Sequence, residues 1–337
     1  MRVPFTALWY AATLGLSIIS GSAGAEPIKL KFAFFTSDRS YIYEAAVRPF
    51  VDAVNAEADG LIEIEVFAGG ALGKNPVEER QRLIDGIADI ALVVPGLTPE
   101  KFPDNGIMEL PGLFKSMREA NLIYTKLVQS NQLRGYEDFI LIGAFVTEGE
   151  SIHTRSAVSS LSDLAGKRIR ANNPIKASAL KRLGMEPVIM PISTVSQAIG
   201  AGEIEGAAVP PAPLFEFGIG RIASNHFLLT VGGAPLPVLM NRKKFESLPP
   251  RARAIIEKYS GQWAADRFVE RFEAINTGLM EQLRADAERR VIIPSENDVA
   301  ASQKSFERMV TEWEAESEGH RTLVESVRNE LKKAGGH

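Results

Sequence analysis

The sequence predicts an α/β protein with two units, each built on a parallel or mixed sheet, and three features support this. Strands and helices alternate from residue 28 to residue 146. A second alternation of strands and helices occupies residues 161–211. A long helical pattern then begins at Pro249-Pro250 and contains no further proline up to Arg290. Such alternation is typical of sheets whose strands are connected by helices that pack on their faces.

The first unit begins with a strand over Ile28–Phe34, where Lys29 and Lys31 alternate with apolar residues. Residues 89–94 form an almost entirely apolar run, which is typical of a strand buried on both faces. The same criteria predict further strands at 62–66 and 139–146, and helices at 41–58, 76–87 and 117–132. This order predicts a parallel sheet with helices on both faces.

The second unit continues with predicted strands at 227–231, 237–241 and 291–294, followed by charged helices over 297–334. The helical pattern from Pro250 to Arg290 is interrupted only by the weak helix formers Gly261 and Gly278. A helix of about 40 residues would span roughly 60 Å, which exceeds the diameter of one small domain. We therefore expect this helix to connect two lobes.

The first 25 residues resemble an export signal. Arg2 is followed by an apolar stretch over 5–19, and Ala23-Gly24-Ala25 fits the small-x-small cleavage rule. An uncleaved anchor is the alternative, but the stretch is short for a spanning helix. We expect cleavage after Ala25 and a periplasmic location, which the absence of cysteine suits. The formal net charge of −4, without a basic block, argues against nucleic acid and anionic membrane as partners.

The motifs of common enzymes are missing. The four histidines lack metal-ligand spacing. The stretch Gly69–Asn75 is not a phosphate loop, because Ala68 and Asn75 stand where glycine and Ser or Thr are required. No Gly-x-Ser-x-Gly motif occurs, and no pair of carboxylates stands out as an acid and base. The sequence therefore predicts no enzyme, no metal and no cofactor. The alternative to a protein without enzymatic activity is an exported α/β enzyme, such as a lyase or isomerase.

A candidate anion site lies in the alternating segment Lys167–Ala171. Alternation places Arg168 and Arg170 on the same face of a predicted strand. A guanidinium can hold a carboxylate through two parallel hydrogen bonds, which fixes both charge and orientation. The residues alone leave open whether these arginines bind an anion or lie on a strand edge in solvent.

Several motifs together resemble the substrate-binding proteins of TRAP transporters, the DctP-type periplasmic solute-binding family. Each motif is weak alone, but their order and spacing match over nearly the whole chain after residue 25. They are Gly69–Gly73, Asp85–Ile90, Phe102-Pro103 with Glu109–Phe114, Asp163–Arg170, Gly202–Gly206, and Lys244-Phe245 with Leu248-Pro249.

The resemblance implies a two-lobed periplasmic binding protein fold. Lobe one would comprise residues 26–147 and 235–277, and lobe two residues 148–234 and 278–337. The function implied is capture of an organic acid anion between the lobes and its delivery to the membrane subunits of a TRAP-type transporter. A subunit that presents its ligand to a sensor is an alternative. By the resemblance Arg170 binds the carboxylate, whereas Arg168 lies on the surface.

One position departs from the family pattern. Many members have Glu-Asn-Pro, with an asparagine that hydrogen-bonds the ligand, where this chain has Ala208-Val209-Pro210, followed by Pro211. We therefore predict an apolar wall at Val209, Pro210 and Pro211, and a less polar ligand such as an aromatic or branched acid. The alternative is that neighbouring residues have taken over the polar contact.

Two more residues complete the predicted site. Tyr41 follows the first strand, where an open α/β sheet lines its cleft, and could pack on a ligand. Its alternative is a place in the core, as for the neighbouring Phe35 and Tyr43. Glu148 lies where the chain passes between lobes, and could accept a ligand hydroxyl or ammonium or pair with Arg170 in the empty site. The alternative for Glu148 is a place on the surface of the hinge.

Overall fold

A computed structural model describes residues 26–334, which form two mixed sheets with helices around them. The first sheet contains β1 (Ile28–Ala33), β2 (Ile62–Phe67), β3 (Ile90–Leu92), β4 (Phe139–Gly143) and β10 (Val238–Asn241). The second contains β5 (Ser151–Thr154), β6 (Arg168–Ala171), β7 (Glu186–Ile189), β8 (Gly206–Val209), β9 (Asn225–Phe227) and β11 (Arg290–Ile292). The predicted α/β class is confirmed, and the predicted export signal lies outside the described residues.

The first sheet has the strand order β2-β1-β3-β10-β4. The pairs β1–β2 and β1–β3 are parallel, as predicted, but β10 runs antiparallel between β3 and β4. Leu239 of β10 lies opposite both Ala91 and Leu141. The first sheet is therefore mixed, as the predicted class of parallel or mixed sheets allows, and is not parallel throughout as the order of its first elements indicated. A strand that returns late in the chain separates β3 from β4, and no local pattern encodes that insertion.

The second sheet has the order β11-β9-β5-β8-β6-β7. β6 pairs in parallel with β7 and β8, and β5 pairs antiparallel with β8 and β9. The predicted strand at 227–231 is shifted and ends at Phe227. Each sheet separates two apolar clusters, one on each face, so the core of the molecule consists of four clusters.

The helices cover the sheets and connect their strands. They are α1 (Arg48–Ala58), α2 (Glu79–Ile84), α3 (Met117–Gln129), α4 (Pro174–Arg182), α5 (Val195–Ala201), α6 (Pro211–Glu216), α7 (Arg242–Ser247), α8 (Pro250–Lys258), α9 (Gln262–Ala285), α10 (Glu296–Ala315) and α11 (Glu318–Ala334). A π-helical turn, Tyr43–Val47, precedes α1, and Pro49 follows at the second position of α1. Proline has no N–H to donate there, so the chain can change its helical pitch at this point.

The predicted continuous helix from Pro250 to Arg290 is wrong in one respect. The chain breaks at Tyr259–Gly261 into α8 and α9, and α9 has 24 residues, about 36 Å. Gly261 has φ 62° and ψ −121°, and its N–H donates to the Ile142 carbonyl at 2.7 Å. The bridging role is confirmed, because Phe272 of α9 packs in the core of the first sheet and Leu283 in that of the second.

Two further segments, residues 144–150 and 231–237, pass between the sheets as a crossing ribbon. Thr147 N–H donates to the Ala234 carbonyl at 3.0 Å, and Glu150 N–H donates to the Gly232 carbonyl at 2.9 Å. The predicted lobe boundaries stay a prediction. α11 packs on α3, with Val324 and Val327 in a cluster that also contains Leu127.

The break between α8 and α9 can be tested with two alanine substitutions. Gly261→Ala forces a side chain into backbone angles that L-residues avoid, and should destabilise the protein by about 1–3 kcal/mol. Gly278→Ala, inside α9 where a β-carbon would meet no atom within 4 Å, should stabilise it by up to about 1 kcal/mol. Urea denaturation measures both changes. Stability changes of the same sign would contradict the assigned break.

Candidate ligand site

Arg170 lies near the carboxyl end of β6 and is 6% exposed. Its Nε donates to the Met190 carbonyl at 3.1 Å, and its Nη1 donates to the Ala208 carbonyl at 3.3 Å. Burial lowers the pKa of Arg170, and the nearby Glu150 carboxylate opposes this. The two carbonyl bonds fix the guanidinium plane without neutralising its charge. A dry, oriented cation of this kind is suited to a carboxylate. Arg168 is exposed, as predicted.

Arg170 belongs to a row of side chains across the second sheet. Strand register places Ala207 opposite both Arg170 and His153, and His153 opposite His226. His153 Nε2 lies 3.1 Å from the Val209 carbonyl, which can only accept, so Nε2 carries the hydrogen. His153 Nδ1 must then accept from His226 Nδ1 at 2.8 Å. The buried His226 Nε2 is left as an acceptor without a partner among the described residues.

A cluster of buried charges lies where α4 meets the crossing ribbon. The Nζ of Lys176 is fully buried and donates to the Val231 carbonyl at 2.5 Å and the Gly232 carbonyl at 2.8 Å. It lies 3.9 Å from Glu150 Oε2. Asn173 caps α4 by accepting from Lys176 N–H at 2.8 Å, and its side-chain amide donates to Glu109. One ammonium group thus joins α4 to both segments of the ribbon.

Burial shifts the pKa values of this cluster. The pKa of Glu109 is raised to about 8, because burial outweighs the attraction of Lys176. Burial also raises the pKa of Glu150 and lowers that of Lys176, and their mutual attraction opposes both shifts. Two buried carboxyl groups and one ammonium therefore share a site with little water to screen them.

The structure places the other predicted site residues in different surroundings. Tyr41 is half-buried beside the first core, and its backbone N–H donates to the Glu216 carboxylate of α6. Val209 packs in a core cluster of the second sheet. Pro210 and Pro211 are buried where α6 begins. Glu148 is exposed and lines a cavity against α9 that none of the other five lines.

Two absences apply to residues 26–334. No helix there combines the length and apolar character that crossing a bilayer requires. Within the same residues, no three His, Cys, Asp or Glu side chains converge in a way that could hold a metal ion.

A family model for DctP, the bacterial extracellular solute-binding proteins of family 7, matches residues 32–316. The chain belongs to this family. A curated relative is the C4-dicarboxylate-binding periplasmic protein DctP of Rhodobacter capsulatus, which is 23% identical over 74% of each chain. An uncharacterised protein of Haemophilus influenzae is 28% identical over 80% of this chain and 83% of its own length. The predicted family is therefore confirmed.

Solved structures show the same two-lobed fold. A marine metagenome TRAP solute-binding protein specific for aromatic acids, in complex with 3-hydroxybenzoate, superposes with a TM-score of 0.82. It is 24% identical, and the match covers 92% of this chain and 99% of that one. A TRAP solute-binding protein from Rhodoferax ferrireducens with benzoate gives 0.82 at 22% identity, covering 91% and 98%. The fold of this solute-binding protein is therefore the one predicted.

Sequence reasoning missed the buried cluster and the histidine pair. A lysine in a helix and a glutamate after a turn ordinarily indicate solvent-exposed positions. The sequence did contain one signal. Glu109 precedes a stretch with Pro and Gly, and Gly232 begins another, and backbone carbonyls in such stretches are free to accept hydrogen bonds. The partners of Lys176 lie 55 and 56 residues away in sequence, so local spacing could not identify them.

The histidine pair predicts a loss of stability in acid. Burial lowers the pKa of His153 to about 4 and that of His226 to about 3, from 6.5. Between pH 6.5 and pH 4 the unfolded chain binds protons that the folded rings exclude, so the pair destabilises the fold increasingly as pH falls. His226→Asn keeps a donor for His153 and should reduce the loss between those pH values by about 3 kcal/mol. Urea denaturation at both pH values measures this, and an unchanged pH dependence would refute it.

Proposed function

We propose that this protein captures an organic acid anion between its lobes in the periplasm and delivers it to the membrane subunits of a TRAP-type transporter. The observation that carries the proposal is Arg170, a buried cation oriented by two carbonyls at the carboxyl end of a strand. Ligands of open α/β sheets bind at such strand ends. Closure of two lobes would exclude water from the ion pair and strengthen it.

The ligand we propose is an aromatic or similarly apolar monocarboxylate. Val209 offers no polar side-chain group where the family commonly has asparagine, and Pro210 and Pro211 extend this apolar turn. On the opposite lobe, Phe35 and Tyr41 are half-buried after β1. The solved relatives with benzoate and 3-hydroxybenzoate support the same class of ligand. An acid with several hydroxyl groups would leave them without partners at this turn, which is costly.

A binding protein must release its ligand unchanged, whereas the exported lyase or isomerase considered above would convert it. We expect benzoate and 3-hydroxybenzoate, each supplied in large molar excess over the protein, to be recovered intact after long incubation. The reason is that the buried histidines are occupied with each other and with a backbone carbonyl. Chromatography and mass spectrometry measure the recovery. Product in excess of the protein concentration would instead identify an enzyme.

The role of Arg170 can be tested by calorimetric titration with 3-hydroxybenzoate. Arg170→Ala should weaken binding by about 3 kcal/mol, roughly a hundredfold, because a desolvated carboxylate loses its partner. Arg170→Lys should recover only part of the affinity, since an ammonium cannot form the planar two-bond contact.

The matched control is Arg168→Ala, which removes an exposed arginine from the same strand and should leave affinity nearly unchanged. Equal losses for Arg168→Ala and Arg170→Ala would mean that general positive charge attracts the acid. No loss for Arg170→Ala would remove Arg170 from the site.

A further inference from the structure

A cavity lies at the hinge, between Glu148 of the crossing ribbon and one side of α9. Its volume is about 280 Å³, close to the lower end of the range for small-molecule sites. Its walls are formed by Glu148, Glu273, Asn276, Thr277, Met280, Glu281 and Arg284. Of the residues predicted for the acid site only Glu148 lines this cavity, whereas Arg170, Tyr41 and the apolar turn at 209–211 do not, so the cavity is distinct from the acid site that we place at Arg170.

Asn276 is the unusual residue in this cavity. It lies on the buried face of α9, whose other buried members include Phe272, Leu279 and Leu283. It is 3% exposed, and neither Oδ1 nor Nδ2 has a hydrogen-bond partner among the described residues. Leaving a buried amide unpaired opposes folding. An apolar residue would fit the pattern of this face better, so packing alone does not account for the amide.

The cavity wall is acidic. Three of its residues, Glu148, Glu273 and Glu281, carry carboxylates, and Arg284 carries the opposing charge. Glu273 also pairs with Arg118 from outside the wall at 3.0 Å, which leaves its second oxygen for another donor. The backbone carbonyl of Glu273 already accepts from Thr277 Oγ1 at 2.8 Å. The groups that face the cavity are mostly hydrogen-bond acceptors, and acceptors with net negative charge select a cation.

We propose that this hinge cavity binds a small organic cation with a primary ammonium group, such as an alkyl diamine. The ammonium would donate to Asn276 Oδ1 and to the carboxylates of Glu148 and Glu281, with its carbon chain against Met280. An organic ammonium fits better than a metal ion, because no three acidic side chains of residues 26–334 converge as metal ligands would. Its three N–H donors match separated acceptors on two elements.

The site would join two of the elements that connect the lobes. Glu148 belongs to the crossing ribbon and Asn276 to α9, so a cation that touches both would make different contacts if the two elements shift relative to each other. Ligands that distinguish two arrangements shift the equilibrium between them. The cation would therefore also influence the closure of the lobes, while its own binding requires no organic acid.

Calorimetric titration with 1,4-diaminobutane at low ionic strength tests the proposal directly. The unaltered protein should bind one equivalent. Asn276→Leu should weaken binding at least tenfold while its melting temperature stays equal or rises, because Leu suits the apolar face. Glu148→Gln should weaken binding, and Arg284→Ala should strengthen it by removing the repelling charge.

The matched control is Glu325→Gln, an exposed glutamate on α11 outside the cavity, which should bind the diamine as the unaltered protein does. The proposal is overturned if the unaltered protein shows no saturable binding. It is also overturned if Asn276→Leu binds equally well, or if Glu325→Gln weakens binding as much as Glu148→Gln. Because the titration contains no organic acid, its outcome is independent of the proposed acid transport.

Discussion

The buried ammonium group of Lys176 connects helix α4 to both segments of the crossing ribbon. Lys176 donates to two consecutive carbonyls of one crossing segment and faces Glu150 of the other, while its own helix is capped by Asn173, which also holds Glu109. A lysine without solvent contact costs free energy unless each donor is satisfied. Here the donors are directed at the ribbon, so the position of α4 relative to both lobes is fixed by charge as well as by packing.

The proposed ligand site depends on this arrangement. β6, which carries Arg170, leads directly into α4, so the anchored helix also positions the end of that strand. Gly232 lies at the point of contact, with φ +88° and with the Glu109 carbonyl 2.8 Å and Lys176 Nζ 3.2 Å from where a β-carbon would be. Only glycine combines that backbone angle with so close an approach. The close approach of Gly232 to Lys176 and the position of Arg170 therefore both depend on how α4 is held against the crossing ribbon.

Most strands could be predicted from sequence, because alternation and apolar runs are local signals, as in Ile28–Ala33 and Ile62–Phe67. The insertion of β10 could not, since it depends on a strand about 100 residues after β4 in the chain. Arg170 could be proposed as the anion-binding residue because strand alternation and a family motif coincide on it. The role of Lys176 could not be predicted, because the pattern of a helical lysine is the same whether its ammonium meets water or a distant carbonyl. Polar contacts between residues that are far apart in the sequence produce no periodic sequence pattern from which they could be predicted.

The measurement that tests the central role of Lys176 most directly is the free energy of unfolding of Lys176→Met, compared with Lys181→Met. Lys181 is exposed on the same helix, so its substitution controls for loss of a lysine from α4. Loss of the buried cation removes the positive charge that faces the buried Glu150 carboxylate, and we expect a loss of about 3–5 kcal/mol for Lys176→Met. For Lys181→Met we expect a change within about 0.5 kcal/mol. A comparably small change for Lys176→Met would show that packing alone holds α4 on the ribbon.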